Sequence, residues 1–199
     1  LTDREVYVHP GEVLELKKNA AFAVRILDVR SEADYNLFHI AGSLRLDLAQ
    51  IFNPATINRL SSAPGNMVFL IISNGEEAAT QVWKALRASG VTNLYIIEGG
   101  INKWLEVFPP EPCLLGKAMN TAAGPEHLKF DFLYAVGDQT RAAHPDSIRS
   151  QPWLKCPEIT RTDEATAASW GPTTKWFEPP VYEKKVKLQS KGATKGGCG

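Results

Sequence analysis

The strongest apolar run of the chain, Met67–Ile72 (MVFLII), opens onto Ser73-Asn74-Gly75-Glu76-Glu77. A hydroxyl, an amide, a glycine and two carboxylates thus follow a buried strand and lead into a helix. The free N–H groups at the start of a helix attract anions. Ser73-x-x-Glu76 has the spacing of a capping box, and Asn74 offers an alternative cap. Glu76 and Glu77 suit the positive end of the helix dipole. They stabilise that helix, or they fill or repel an anion at its start; the two roles are compatible, and both disfavour thiosulfate or phosphate as a ligand. A second candidate is the thiol of Cys198, in Lys195-Gly196-Gly197-Cys198-Gly199. Neighbouring lysines favour the thiolate. Such a thiol would carry sulfur, form a mixed disulfide or share a metal with a partner; the alternative is an incidental tail residue. Cys113 and Cys156 lie beside prolines and apolar residues and read as packed and inert.

The elements that position the loop follow from hydrophobic patterning. Val24–Val29, Leu44–Leu48, Met67–Ile72 and Leu94–Ile97 read as strands. Pro10–Lys18, Ser31–Phe38, Pro54–Leu60, Glu76–Ser89 and Ile101–Phe108 read as helices, with Ser31 as an N-cap and Gly90 as a terminator. Ala79, Val82, Trp83 and Leu86 share one face of the Glu76–Ser89 helix. This alternation predicts an α/β fold with a parallel sheet, whose sites lie at the carboxyl ends of the strands. The turn after Ile72 is the first such place.

Composition narrows the function classes. The chain has 199 residues with 22 basic and 22 acidic side chains, so it lacks the basic excess of a nucleic-acid binder. No apolar run is long enough to span a membrane. The first residue is Leu1, so a membrane role is expected only through a segment upstream of it. The reading is a soluble domain, either cytoplasmic or part of an anchored or exported bacterial-type protein. Three cysteines with no CxxC spacing give no disulfide scaffold and no structural zinc site. Nothing points to a nucleotide, a flavin or a resident metal.

Ten of the 13 prolines and all three cysteines lie at or after Pro109. The expected organisation is a domain over 1–110, an extended segment over 111–182 that packs its aromatics on the domain, and a flexible Lys/Gly-rich tail over 183–199. Leu128, Phe130, Phe132 and Tyr134 alternate and suggest one strand.

Four motifs in order carry a family resemblance: Asp28-Val29-Arg30, His39-Ile40-Ala41-Gly42-Ser43, the central strand with its loop, and Glu98-Gly99-Gly100-Ile101-Asn102-Lys103-Trp104. Along roughly residues 5–108 the chain resembles the rhodanese-like domain family. The resemblance implies a five-stranded parallel sheet flanked by helices, with an active loop after the central strand. Active members read Cys-x-x-Gly-x-Arg there, with the cysteine taking up sulfur as a persulfide. Anchored on Gly75, the cysteine position is Ile72 and the arginine position is Glu77. A one-residue shift offers Ser73, whose hydroxyl cannot hold a persulfide. Residues 1–112 contain no cysteine.

The remaining motif residues are Asp28, Arg30, His39 and Arg45. Asp28 and Arg30 are expected to hold the strand end and neighbouring loops. His39 bonds a loop backbone or acts as a base, and Arg45 lines the site rim or is a solvated surface arginine. The functional expectation is a binding or regulatory module in a sulfur or redox context, with a protein partner and without ordinary sulfurtransferase activity. The alternative is a sulfurtransferase or persulfide carrier that uses Cys198.

Overall fold

A computed structural model describes residues 4–108, 124–132 and 180–188. The chain runs β1 (Tyr7–Val8), α1 (Pro10–Lys18), β2 (Ala23–Asp28), α2 (Glu32–Leu37), β3 (Leu44–Arg45), α3 (Leu48–Ile51), α4 (Pro54–Ser61), β4 (Met67–Ile72), α5 (Glu77–Ala88), β5 (Leu94–Ile97) and α6 (Gly100–Val107). Five parallel strands form one sheet in the order β1-β5-β4-β2-β3.

β4 is central because its side chains from Val68 to Ile72 are all buried, which only a strand covered on both faces can achieve. Alternation along the strands builds two cores. One holds Ile26, Leu70, Ile72 and Ile97 beneath Ile101 and Trp104 of α6. The other holds Leu27, Phe69, Ile71 and Ile96 beneath Ala79, Val82 and Leu86 of α5. Trp104 lies in the first core, while Trp83 borders the second and donates its indole N–H to the Leu94 carbonyl at 2.7 Å.

Two local features differ from the sequence expectation. The short strand β1 is not among the four strands read from patterning; it pairs Tyr7 and Val8 with Ile96 and Ile97 and completes the five-stranded sheet that the resemblance implies. The expected strand Leu44–Leu48 stops at Arg45. Asp47 and Gln50 form a reciprocal capping box there, which starts α3.

Parts of the carboxy-terminal half dock on this frame. Leu128 and Phe130 are buried in the α6-side core, and Phe132 stacks on Phe38 with ring centroids 5.4 Å apart. They enter by alternation, but residues 124–131 form no strand, and Phe132 makes only an isolated bridge. Residues 183–188 fall in the expected flexible tail, yet they are held. The buried Glu12 carboxylate accepts the N–H groups of Lys185 and Val186, and the Tyr95 hydroxyl donates to the Lys187 carbonyl at 2.7 Å. Tyr134, Cys113, Cys156 and Cys198 lie outside the described residues. Among the described residues, no helix is long and apolar enough to cross a membrane, and no cluster of three His, Cys, Asp or Glu side chains could hold a metal.

Candidate functional site

Strand register brings the motif residues to one edge. Asp28 ends β2 and pairs with Ile72 of β4 on one side and Arg45 of β3 on the other. The buried Arg30 guanidinium grips Asp28, with Nε 2.9 Å from Oδ1 and Nη2 2.7 Å from Oδ2. It also donates to the carbonyls of Phe38 at 2.6 Å and Asp34 at 3.3 Å. Its Nη1 donates to Asn74 Oδ1 at 3.3 Å, and Asn74 Nδ2 donates to the Asp34 carboxylate at 3.1 Å. Asn74 therefore ties the loop to α2 instead of capping α5.

His39 and Arg45 sit beside this network. The His39 ring stacks on Tyr35, and its Nδ1 lies 2.9 Å from the Tyr35 carbonyl. Arg45 is half-buried, with its Nε shielded from solvent and without a hydrogen-bond partner among the described residues.

The loop after β4 runs between two helix starts. Its carbonyls face α6: Ser73 O accepts from Ile101 N at 2.9 Å and Asn74 O from Asn102 N at 3.1 Å. Gly100 permits this approach. It has φ +61°, and a Cβ there would lie 2.2 Å from Gly75 O and 2.4 Å from Ser73 O. The Gly75 amide serves the other side, where it donates to a carboxylate at the start of α5.

The capping box anticipated from Ser73 and Glu76 does not form. Glu76 stands at the N-cap of α5 without a side-chain cap bond. Its carboxylate instead accepts from Gly99 N at 2.8 Å and from both terminal nitrogens of Arg4. Burial pushes the Glu76 carboxyl up, but the hydrogen bonds from Arg4 and Gly99 and the nearby positive charges outweigh it, and the net shift is downward. The bond to Glu76 in turn raises Arg4. Glu77 is exposed in the first turn of α5. Ser73 Oγ donates to Gly75 O at 3.1 Å and accepts from Ala79 N at 3.3 Å, so this hydroxyl is committed to holding the turn.

What caps α5 is Glu126, from beyond the domain. Its Oε1 accepts the N–H groups of Glu77 and, at 3.3 Å, Ala78; its Oε2 accepts Gly75 N at 3.4 Å. Ser73 Oγ lies 3.5 Å from Oε1. Loop and helix start thus form an anion cradle, and a carboxylate of the same chain occupies it. Glu126, Asn102, Arg4 and Asp34 are the residues of this site that the sequence reading missed. Only Asn102 lay within a motif singled out there.

Ile72 completes the picture. Its side chain is fully buried in the α6-side core with Phe38, Ile97, Ile101 and Trp104. It presents only hydrocarbon at the end of β4.

A parallel sheet with an anion-holding loop at the carboxyl end of its central strand defines a class of α/β proteins. Residues 9–107 match the rhodanese-like domain model, and the chain belongs to that family. It is 21% identical over 111 residues to the thiosulfate sulfurtransferase GlpE of Pseudomonas paraeruginosa, covering 56% of this chain and 94% of that one. Among solved structures, a Staphylococcus saprophyticus protein is 26% identical with a TM-score of 0.41, covering 49% of this chain and 91% of its own. A rhodanese-related protein of Thermoplasma volcanium is 21% identical with a TM-score of 0.43, covering 52% and 94%.

Proposed function

We propose that this rhodanese-like domain is a binding or regulatory module with a protein partner, and that it does not transfer sulfur by the ordinary route. The observation that carries this reading is Ile72, fully buried at the position that answers to the family's active-loop cysteine. Sulfur transfer needs a thiolate that attacks the sulfane sulfur, forms an S–S bond and expels sulfite. A hydrocarbon side chain offers no electron pair for that bond, and the neighbouring Ser73 hydroxyl is engaged by Gly75 and Ala79. The sulfur or redox context comes from the family and from the name borne by the GlpE relative.

The test is intact-mass analysis of the full chain after incubation with thiosulfate, beside a Cys198→Ser variant. The expected result is no gain of sulfur in either. A gain in the native chain that vanishes in the variant would make Cys198 a sulfur carrier and overturn the proposal. A gain that persists in the variant would overturn it too, and peptide mapping would identify the other cysteine.

A further inference from the structure

We infer that residues 124–132 are an autoinhibitory strap whose Glu126 carboxylate is the resident ligand of the 73–78 cradle. An external oxyanion enters only when the strap lifts. This deepens the binding reading above, since it assigns that module's site a gate.

The strap is held along its length by contacts of different kinds. At its start, a turn from Gly124 O to His127 N projects Glu126 into the cradle. The approach is close: a Cβ on Gly75 would lie 2.2 Å from the Pro125 carbonyl oxygen. In the middle, buried Asn102 reads the strap's backbone. Its Nδ2 donates to His127 O and its Oδ1 accepts Lys129 N, both at 2.9 Å. A side-chain amide thereby takes the place of a neighbouring strand. Beyond that, Leu128 and Phe130 enter the core and Phe132 stacks on Phe38.

These contacts link strap and cradle mechanically. Asn102 N bonds Asn74 O, so the residue that grips the strap also grips the loop. The carboxylate meets the open N–H groups of Gly75, Glu77 and Ala78, the groups that an oxyanion would need. An incoming anion therefore competes with a ligand tethered in place. Its apparent dissociation constant is the intrinsic one divided by the fraction of molecules with the strap lifted.

The experiment is a titration of the full chain with inorganic sulfate, following the backbone amides of Gly75, Glu77 and Ala78 by NMR. Native protein, Glu126→Ala and Leu128→Ser are compared. Glu126→Ala removes the resident ligand, whereas Leu128→Ser keeps it and weakens the strap's apolar anchor. The expected result is sulfate binding at least about tenfold tighter in both variants than in the native chain, with those three amides shifting. Equal affinity in all three proteins would overturn the gate. Failure of the amides to shift in Glu126→Ala would overturn the cradle as an oxyanion site. A gain in Glu126→Ala alone would reduce Glu126 to local repulsion and overturn the strap. Amide dispersion in the same spectra shows that each variant is folded. Sulfur uptake in the mass experiment would sink the non-catalytic reading without touching this result, and an unresponsive cradle would sink the gate without restoring a nucleophile.

Discussion

Replacing Arg30 by methionine isolates the electrostatic cost of the site's foundation. Arg30 and Asp28 side chains are 1% and 0% exposed. Methionine keeps most of the apolar stem, so packing changes little. What disappears is the bidentate grip on Asp28 and the donors to Phe38 O, Asp34 O and Asn74 Oδ1. Among the described residues, Asp28 is left with one backbone donor, Arg30 N at 3.1 Å. Breaking a buried pair by removing one partner costs about 3–5 kcal/mol, because the surviving charge stays buried without compensation. A domain of this size is stable by roughly 5–15 kcal/mol, so the loss is a large fraction of the whole. The assay is urea unfolding followed by far-UV circular dichroism, with the midpoint shifting and the slope unchanged. Adding Asp28→Asn removes the stranded charge. The double variant should recover at least about 1 kcal/mol relative to Arg30→Met alone. A cost below about 1 kcal/mol for the single variant would refute the reasoning. So would a double variant no more stable than the single, because the stranded carboxylate would then not be the cause.

Two further predictions concern the backbone and pH. Gly100→Ala should cost at least twice as much as Gly90→Ala in the same assay: both have positive φ, but only at Gly100 does a Cβ meet loop carbonyls. Similar costs would mean that the loop yields freely. His9 caps α1 by accepting Gly11 N on Nδ1, and its burial lowers its pKa from 6.5. Below pH 6.5 the unfolded chain then binds the proton first, so stability falls as pH drops from there through the folded-state pKa and is flat above. His9→Asn keeps a capping acceptor and removes the titration, and it should flatten the stability profile on the acid side of pH 6.5. An unchanged slope would place the acid sensitivity elsewhere.

Local physics explains which parts could be read from the sequence. β4 and α5 were readable because a fully covered strand is continuously apolar and a half-covered helix repeats its apolar face. Ser31 announced α2 by its type alone and does cap it, accepting Asp34 N. β1 carries only two residues and has no period to detect. The Asp47-x-x-Gln50 capping box was a usable signal for α3, but the apolar Leu44, Leu46 and Leu48 suggested a longer strand. The cradle's occupant was beyond any local reading, since Glu126 lies 49 residues from Glu77. No periodicity links a helix start to a carboxylate that far along the chain. The same blindness explains Glu76. Its position favours capping its own helix, but tertiary contacts with Arg4 and Gly99 claim its carboxylate instead.

The polarity of the loop gives the strap its meaning. At the position where the family's pattern has arginine, this chain has the exposed Glu77. An arginine there would draw an anion from solution by charge alone. Glu77 repels one, and Glu126 already holds the amides that would receive it. Long-range attraction therefore cannot open this site. What can open it is a contact that competes for the strap itself, at Leu128, Phe130 and Phe132, where the docking is apolar and is not screened as a charge contact is. A protein surface that takes up those side chains would lift Glu126 as a consequence. Such an apolar contact and the exposure of the cradle would then be two ends of one equilibrium, and either should strengthen the other.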